Sequence, residues 1–145
     1  MKTADACAMV RMVAGWAADH EDIRAMALIG SWARGNPHQG SDVDILLLSD
    51  RMAEYRLRPE WLAEIFFEDA GYRVLSNVDA DYGVVWSRHV ILMPAAKVEL
   101  TFAQCSWAKT NPVDLGTWRI VKDAFEIIFD KDGALARVVN AVLPG

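Results

Sequence analysis

Residues 30–48 read GSWARGNPHQGSDVDILLL, and this stretch carries most of the information in the chain. A Gly-Ser pair opens it, and Asp42 and Asp44 stand at positions i and i+2 before an unbroken apolar run. Residues i and i+2 of a β-strand point to the same face, so the two carboxylates are expected side by side. Like charges this close repel each other unless a cation joins them, and carboxylate oxygens are ligands that Mg²⁺ prefers. The pair therefore predicts a divalent metal site.

The Gly-Ser pair predicts a second feature, a place for phosphate. Glycine lets the backbone approach a ligand closely, and free N–H groups at the start of a helix attract phosphate. The apolar run at residues 25–29 predicts a buried strand that leads into Gly30, and Ser31 is expected to cap a short helix over residues 32–35. A phosphate-binding turn next to metal-binding carboxylates indicates nucleotide chemistry.

These residues resemble the motif of the polymerase β-type nucleotidyltransferase superfamily, in the form seen in its small, minimal prokaryotic members. The motif is Gly30 and Ser31, then Asp42 and Asp44, with Glu99 as the third acid on a later strand. The resemblance implies that Asp42, Asp44 and Glu99 are catalytic residues that bind metal, with two Mg²⁺ ions about 3.5–4 Å apart. It also implies that Glu99 lowers the pKa of the acceptor hydroxyl or takes its proton. Gly30 and Ser31 would bind the phosphates of ATP. Many family members carry aspartate at the third position, so glutamate here departs from the pattern.

The assignment of Glu99 as the third acid rests on the alternation of apolar and polar residues over 97–102. This alternation places Glu99 on the face opposite Val98 and Leu100. Its alternative role is that of a solvent-facing strand residue. Three further acids compete for the position, but they fall in predicted loops, where aspartate commonly makes turns: Asp79, Asp81 and Asp114.

Other polar residues near the motif have two open interpretations each. Arg34 either neutralises triphosphate charge or forms a salt bridge across its loop. Ser41 either orients the aspartates by hydrogen bonding, and so supports nucleotide binding, or only ends the loop. Four more basic residues are either phosphate partners or ordinary surface charges: Lys97, Lys109, Arg119 and Lys122. The three histidines show no nucleophile or zinc pattern and are assigned no chemistry: His20, His38 and His89.

The periodicity of the rest of the chain predicts one α/β (α+β) domain, a mixed twisted sheet with helices packed on one face. Helices are predicted over residues 4–19, over 60–69 after Pro59, and over 134–143. Strands are predicted at 24–29, 43–48, 72–75, 84–86, 90–93 and 97–102, with a turn at 79–83. The state of segments 118–121 and 124–129 stays open.

Composition narrows the class of protein. The chain has 145 residues, which is the size of one domain, and 53% of them are hydrophobic, enough for a core. Its net charge of −5 disfavours binding to long nucleic acids, which calls for a basic surface. No apolar run reaches the roughly 18–20 residues that span a membrane, and the N-terminus lacks a signal peptide. A cytoplasmic protein without a membrane partner is expected.

Two later segments, residues 116–119 and 128–133, are similar to the end of the catalytic domain in aminoglycoside adenylyltransferases. Those enzymes add a helical domain that holds the acceptor, whereas residues 1–145 are expected to form a single nucleotidyltransferase domain without it. The acceptor pocket would then come from a second copy in a homodimer, come from a partner protein, or not exist.

The expected reaction is Mg²⁺-dependent transfer of AMP from ATP to a hydroxyl group of a small-molecule or protein acceptor, with release of pyrophosphate. Two alternatives stay open. The domain is the nucleotidyltransferase half of a toxin–antitoxin pair with a small helical partner, or it is a degenerate nucleotide-binding or interaction module without turnover. The identity of the acceptor and the base preference are left undetermined.

Overall fold

A computed structural model describes residues 2–37 and 42–144, so Ser41 and His38 lie outside the described residues. The helices are α1 (Thr3–Ala18), α2 (Gly30–Arg34), α3 (Met52–Leu57), α4 (Leu115–Asp123) and α5 (Ala134–Val142). The strands are β1 (Ile23–Ile29), β2 (Val43–Ser49), β3 (Arg73–Asp81), β4 (Val85–Met93), β5 (Ala96–Ala103) and β6 (Phe125–Asp130). Short 3₁₀ turns cover Pro59–Glu64, Phe67–Ala70 and Cys105–Ala108. Within these ranges, none of the helices has the length and apolar character needed to cross a bilayer.

The strands form one six-stranded sheet in the order β3-β4-β5-β2-β1-β6. The central pair, β2 and β5, is parallel, while the remaining pairs are antiparallel. The mixed sheet predicted from the sequence is therefore confirmed. The run Ile45–Ser49 is buried, as expected for a strand covered on both faces.

Alternate residues of the strands feed two hydrophobic clusters, one on each face of the sheet. Met9 and Val13 of α1 pack with Ile45 and Leu47 on the first face. Leu46 and Leu48 pack on the second face with buried residues of α4 and α5, Val121, Leu135 and Val138. The predicted fold class holds, but helices lie on both faces rather than one, because residues 125–130 form a strand that α4 and α5 cover.

The segment between β2 and β3 differs from the prediction of one helix over residues 60–69. It contains α3 followed by the two 3₁₀ turns Pro59–Glu64 and Phe67–Ala70. Ile65 is extended, with φ −94° and ψ 111°, and interrupts the helical path while its side chain is buried. The apolar spacing predicts a buried face of Trp61, Leu62, Ile65 and Phe66, and the first three are buried. Phe66 is instead 63% exposed and Phe67 is buried, because the backbone is divided into shorter turns.

The β3–β4 hairpin is longer than predicted, and the turn expected at residues 79–83 shrinks to the residues after Asp81. Polar residues in the middle of β4 interrupt the apolar pattern from which the strands were predicted. Two of them are nevertheless buried, and each has a partner: Ser87 hydrogen-bonds Thr101 at 2.7 Å, and Arg88 contacts Asp79 at 2.6 Å. A strand pattern based on apolar alternation misses polar residues that are buried beside a polar partner.

Candidate active site

The parallel pairing of β2 with β5 brings two of the predicted acids together. Asp44 is the register partner of Glu99, so both side chains project from the same face of the sheet. Asp42 stands two residues before Asp44, and one carboxylate oxygen each of Asp42 and Glu99 approach within 4.8 Å. The three acids named from the sequence thus lie around one point at the centre of the sheet.

The structure adds His89 to this cluster, which sequence reasoning missed. His89 on β4 pairs with Glu99 on β5, and its Nε2 lies 3.5 Å from Glu99 Oε1 and 3.4 Å from the Tyr82 hydroxyl. One ligand atom each of Asp42, His89 and Glu99 lie within 4.8 Å of one another. A signal was present: the predicted hairpin turns about Pro94, and residues 89 and 99 are equally distant from it.

The surroundings of Asp44 disfavour its ionised form. Its Oδ1 is buried and has no hydrogen-bond partner among the described residues. Burial, the adjacent Glu99 carboxylate and the Asp42 charge raise the pKa of Asp44 to about 8, against a smaller lowering by Arg34. Without a cation, this crowding favours the protonated form of the Asp44 carboxyl group, because several acids share one poorly solvated space.

The acidic cluster fits a divalent cation. An orphaned carboxylate oxygen and two further carboxylates supply the hard oxygen donors that Mg²⁺ takes, and a bound cation would remove the repulsion among them. An isolated charge this poorly solvated is costly unless it is paired or bound to metal.

Gly30 forms the wall of the site next to Asp44. It has φ +75°, a conformation that other residues rarely adopt, and a Cβ placed there would overlap the Asp44 carboxylate. Its neighbour Ile29 pairs with Asp44 across β1 and β2. Only glycine allows the chain to leave β1 this close to the acid.

Ser31 lies within α2 and does not cap it. The helix begins at Gly30, its N-cap is Ile29, and the N-cap position has no side-chain hydrogen bond. The expected capping role of Ser31 is therefore wrong, because the helix begins two residues earlier than predicted and includes Ser31 in its first turn. Ser31 directly follows Gly30, which lies against the Asp44 carboxylate, and α2 packs on β2.

Arg34 is engaged by an acid of a distant helix. Its Nη1 contacts Asp123 Oδ2 on α4 at 2.5 Å, and its Nε lies 3.4 Å from Asn36 Oδ1. Of the two interpretations, the salt bridge is present, though it reaches across to α4. The guanidinium is still close enough to lower the pKa of Asp44. The four other candidate phosphate partners are exposed: Lys97, Lys109, Arg119 and Lys122.

The three competing acids are occupied elsewhere. Asp79 contacts Arg88 at 2.6 Å, and Asp81 accepts a hydrogen bond from the Gly83 N–H at 2.8 Å. Asp114 caps α4 by accepting from the Gly116 N–H at 3.2 Å. The geometry favours Glu99 over these acids as the partner of Asp44.

The chain matches the family model of the nucleotidyltransferase domain over residues 15–135 and belongs to this family. The family and the enzyme class predicted from the motif, those of a nucleotidyltransferase, are therefore confirmed. No curated protein matches the chain in sequence.

Among solved structures, the fold is similar to an aminoglycoside 6-adenyltransferase from Bacillus subtilis, with a TM-score of 0.54 and 15% identity. The similarity covers 77% of this chain but 38% of that protein. At this identity the likeness establishes the fold alone.

Proposed function

We propose that the chain transfers AMP from ATP to a hydroxyl group of a small-molecule or protein acceptor and releases pyrophosphate, with a divalent cation required. The observation that carries the proposal is the pairing of Asp44 with Glu99 across the parallel strands, beside Asp42 and the Gly30 turn. A cluster of acids with an orphaned buried oxygen is unfavourable by itself, and a metal-bound triphosphate would satisfy it.

Each residue of the cluster would have a defined task. Asp42, Asp44 and Glu99 would hold the cation, which when bound would neutralise charge on the phosphate oxygens. The backbone at Gly30 and the hydroxyl of Ser31 would bind the terminal phosphates, because the glycine leaves that wall of the site open. Arg34 would add positive charge on the same side while it remains paired with Asp123.

The transfer itself would proceed by in-line displacement. The acceptor oxygen would form a bond to the α-phosphorus, and the bond between that phosphorus and the bridging oxygen of the β-phosphate would break. Pyrophosphate would leave with the electron pair, and the proton of the acceptor hydroxyl would pass to the Glu99 carboxylate. Positioning and charge stabilisation supply most of the catalysis in phosphoryl chemistry.

A first test is binding of a non-hydrolysable ATP analogue, measured by calorimetry with Mg²⁺ and then with EDTA. Micromolar affinity, about −8 kcal/mol, that appears only with the cation would support a metal–triphosphate site. Absence of binding under both conditions would contradict the proposal and favour an interaction module without turnover.

A second test is pyrophosphate release from ATP by the variants Asp42→Asn, Asp44→Asn and Glu99→Gln. Each is expected to lose most of the activity while it remains folded by circular dichroism. Asp69→Asn is the matched control, because this acid is exposed in the 3₁₀ turn Phe67–Ala70 and lies outside the cluster. Equal loss in the control, or full activity in the three variants, would contradict the assignment.

A further inference from the structure

His89 is the one member of the cluster that the nucleotidyltransferase motif does not include. It is the direct cross-strand partner of Glu99, so the imidazole and the carboxylate share a face of the sheet. The side chains are 31% and 21% exposed, and Nε2 lies 3.5 Å from Glu99 Oε1. A half-buried imidazole thus adds a nitrogen donor to a group of carboxylate oxygens.

The spacing of these donors suits a metal ion between them. Ligands about 2.1 Å from an octahedral ion lie about 3 Å apart when adjacent and about 4.2 Å apart when opposite. The ligand atoms of Asp42, His89 and Glu99 all lie within 4.8 Å of one another, and His89 Nε2 lies 3.5 Å from Glu99 Oε1. Small side-chain rotations would bring the three atoms onto one ion.

Donor chemistry then distinguishes between cations. Mg²⁺ prefers oxygen ligands and keeps several waters, whereas transition-metal ions accept imidazole readily. Mn²⁺ takes both carboxylate and imidazole ligands and is close enough in chemistry to replace Mg²⁺ in phosphoryl transfer. An imidazole in an otherwise acidic cluster therefore shifts the metal preference of the site from Mg²⁺ towards Mn²⁺.

We propose that His89 is a metal ligand together with Asp42 and Glu99, and that this mixed position selects Mn²⁺ over Mg²⁺. The inference rests on the proposed function only in assuming that the acidic cluster holds a divalent cation. The competing explanation is a plain ion pair between His89 and Glu99, in which no nitrogen reaches the metal.

The decisive experiment is pulsed electron paramagnetic resonance of Mn²⁺ bound to the whole chain, which detects a ¹⁴N nucleus bonded directly to the ion. The nitrogen modulation is expected in the wild type and absent in His89→Asn. His20→Asn is the matched control, because His20 lies ahead of β1, where its Nδ1 is 2.8 Å from the Trp16 carbonyl oxygen. Persistence of the modulation in His89→Asn would overturn the inference.

Calorimetry with each cation alone gives the second measurement. His89→Asn and His89→Gln are expected to bind Mn²⁺ about tenfold more weakly than the wild type, with Mg²⁺ affinity changed by less than about threefold. Equal changes for the two ions would overturn the inference. Failure of the wild type to bind either ion, with or without ATP, would instead contradict the proposed function, so the two failures are distinguishable.

Discussion

Asp22 and Asp44 are partly buried carboxylates at opposite ends of the β1–β2 pair, and their surroundings differ sharply. Asp22 lies next to Ile23, which pairs with Ser49, whereas Asp44 pairs with Ile29 at the other end. Asp22 accepts hydrogen bonds from the hydroxyl groups of Tyr55 and Ser49, both at 2.7 Å. Asp44 Oδ1 has no such partner among the described residues.

The two pKa values move in opposite directions for that reason. Burial raises the pKa of Asp22, but the hydrogen bonds from Tyr55 and Ser49 outweigh it and the net shift is downward. Burial and neighbouring acids raise the pKa of Asp44 to about 8. The protein's own donors satisfy the first carboxylate, whereas none of the described groups donates to Oδ1 of the second. Such a contrast is typical of a structural acid and a functional one.

The largest expected effect is on catalysis. Asp44→Asn is expected to lower the rate of nucleotidyl transfer about 10²–10³-fold, because a carboxamide is a poor ligand for a divalent cation. Asp22→Asn, the matched change at the other end of the strand pair, is expected to keep the rate per folded molecule within about threefold. Pyrophosphate release at equal folded concentration measures both. Comparable losses in the two variants would remove the distinction between the acids.

A second prediction compares the stability cost of alanine at the two glycines at the ends of α2. Gly30→Ala is expected to cost about 2–4 kcal/mol, since it strains a φ of +75° and drives a methyl group into the Asp44 carboxylate. Gly35→Ala has a similar φ, +78°, with nothing described within 4 Å, and is expected to cost about 1 kcal/mol. Urea denaturation checks the difference, and equal costs would mean that the contact with Asp44 is unimportant.

A third effect concerns the satisfied acid. Asp22→Ala leaves the Tyr55 and Ser49 hydroxyl groups without their acceptor, and Ser49 is fully buried. The free energy of unfolding is expected to fall by about 1–3 kcal/mol, whereas Tyr55→Phe removes a single donor and is expected to cost about 1 kcal/mol. Thermal unfolding of both variants checks this. An unchanged melting temperature in Asp22→Ala would show that these bonds contribute nothing net.

The features of the site that could be predicted from the sequence are those whose residues lie close together along the chain. Asp42, Asp44 and Gly30 belong to one local stretch, whose strand and turn patterns are strong. Glu99 needed only the alternation of its own strand. The parallel register that pairs it with Asp44 is a tertiary fact, and the sequence could suggest it only through resemblance.

The features that the sequence did not predict depend on contacts with residues on other strands. His89 was assigned no chemistry because its proximity to Glu99 depends on the pairing of β4 with β5. Asp79 was assigned to the predicted turn at 79–83, whereas it lies in β3 and contacts Arg88 on the next strand. The state of segment 124–129 stayed open, and the structure forms it as β6, an edge strand that pairs with β1.

The smallest expected effect is the pH dependence of stability in the metal-free protein. The pKa of Asp44 is about 8 in the folded state against an ordinary 3.8. The protonated carboxyl group therefore contributes fully to the stability of the folded state below pH 3.8, and this contribution disappears as the pH rises through 8. Asp22 has a lowered folded pKa, so its contribution is present above the ordinary value and disappears in acid.

In EDTA the wild type is therefore expected to lose about 1–2 kcal/mol between pH 5 and pH 9, after discounting for partial exposure, while Asp44→Asn stays nearly level. Urea denaturation at the two pH values measures this change. A saturating divalent cation should reverse the wild-type trend, because it binds the ionised carboxylates and stabilises the folded state. Parallel pH profiles for the wild type and Asp44→Asn would show that the protein already stabilises the ionised Asp44 carboxylate. Asp44 would then not differ from Asp22 in this respect.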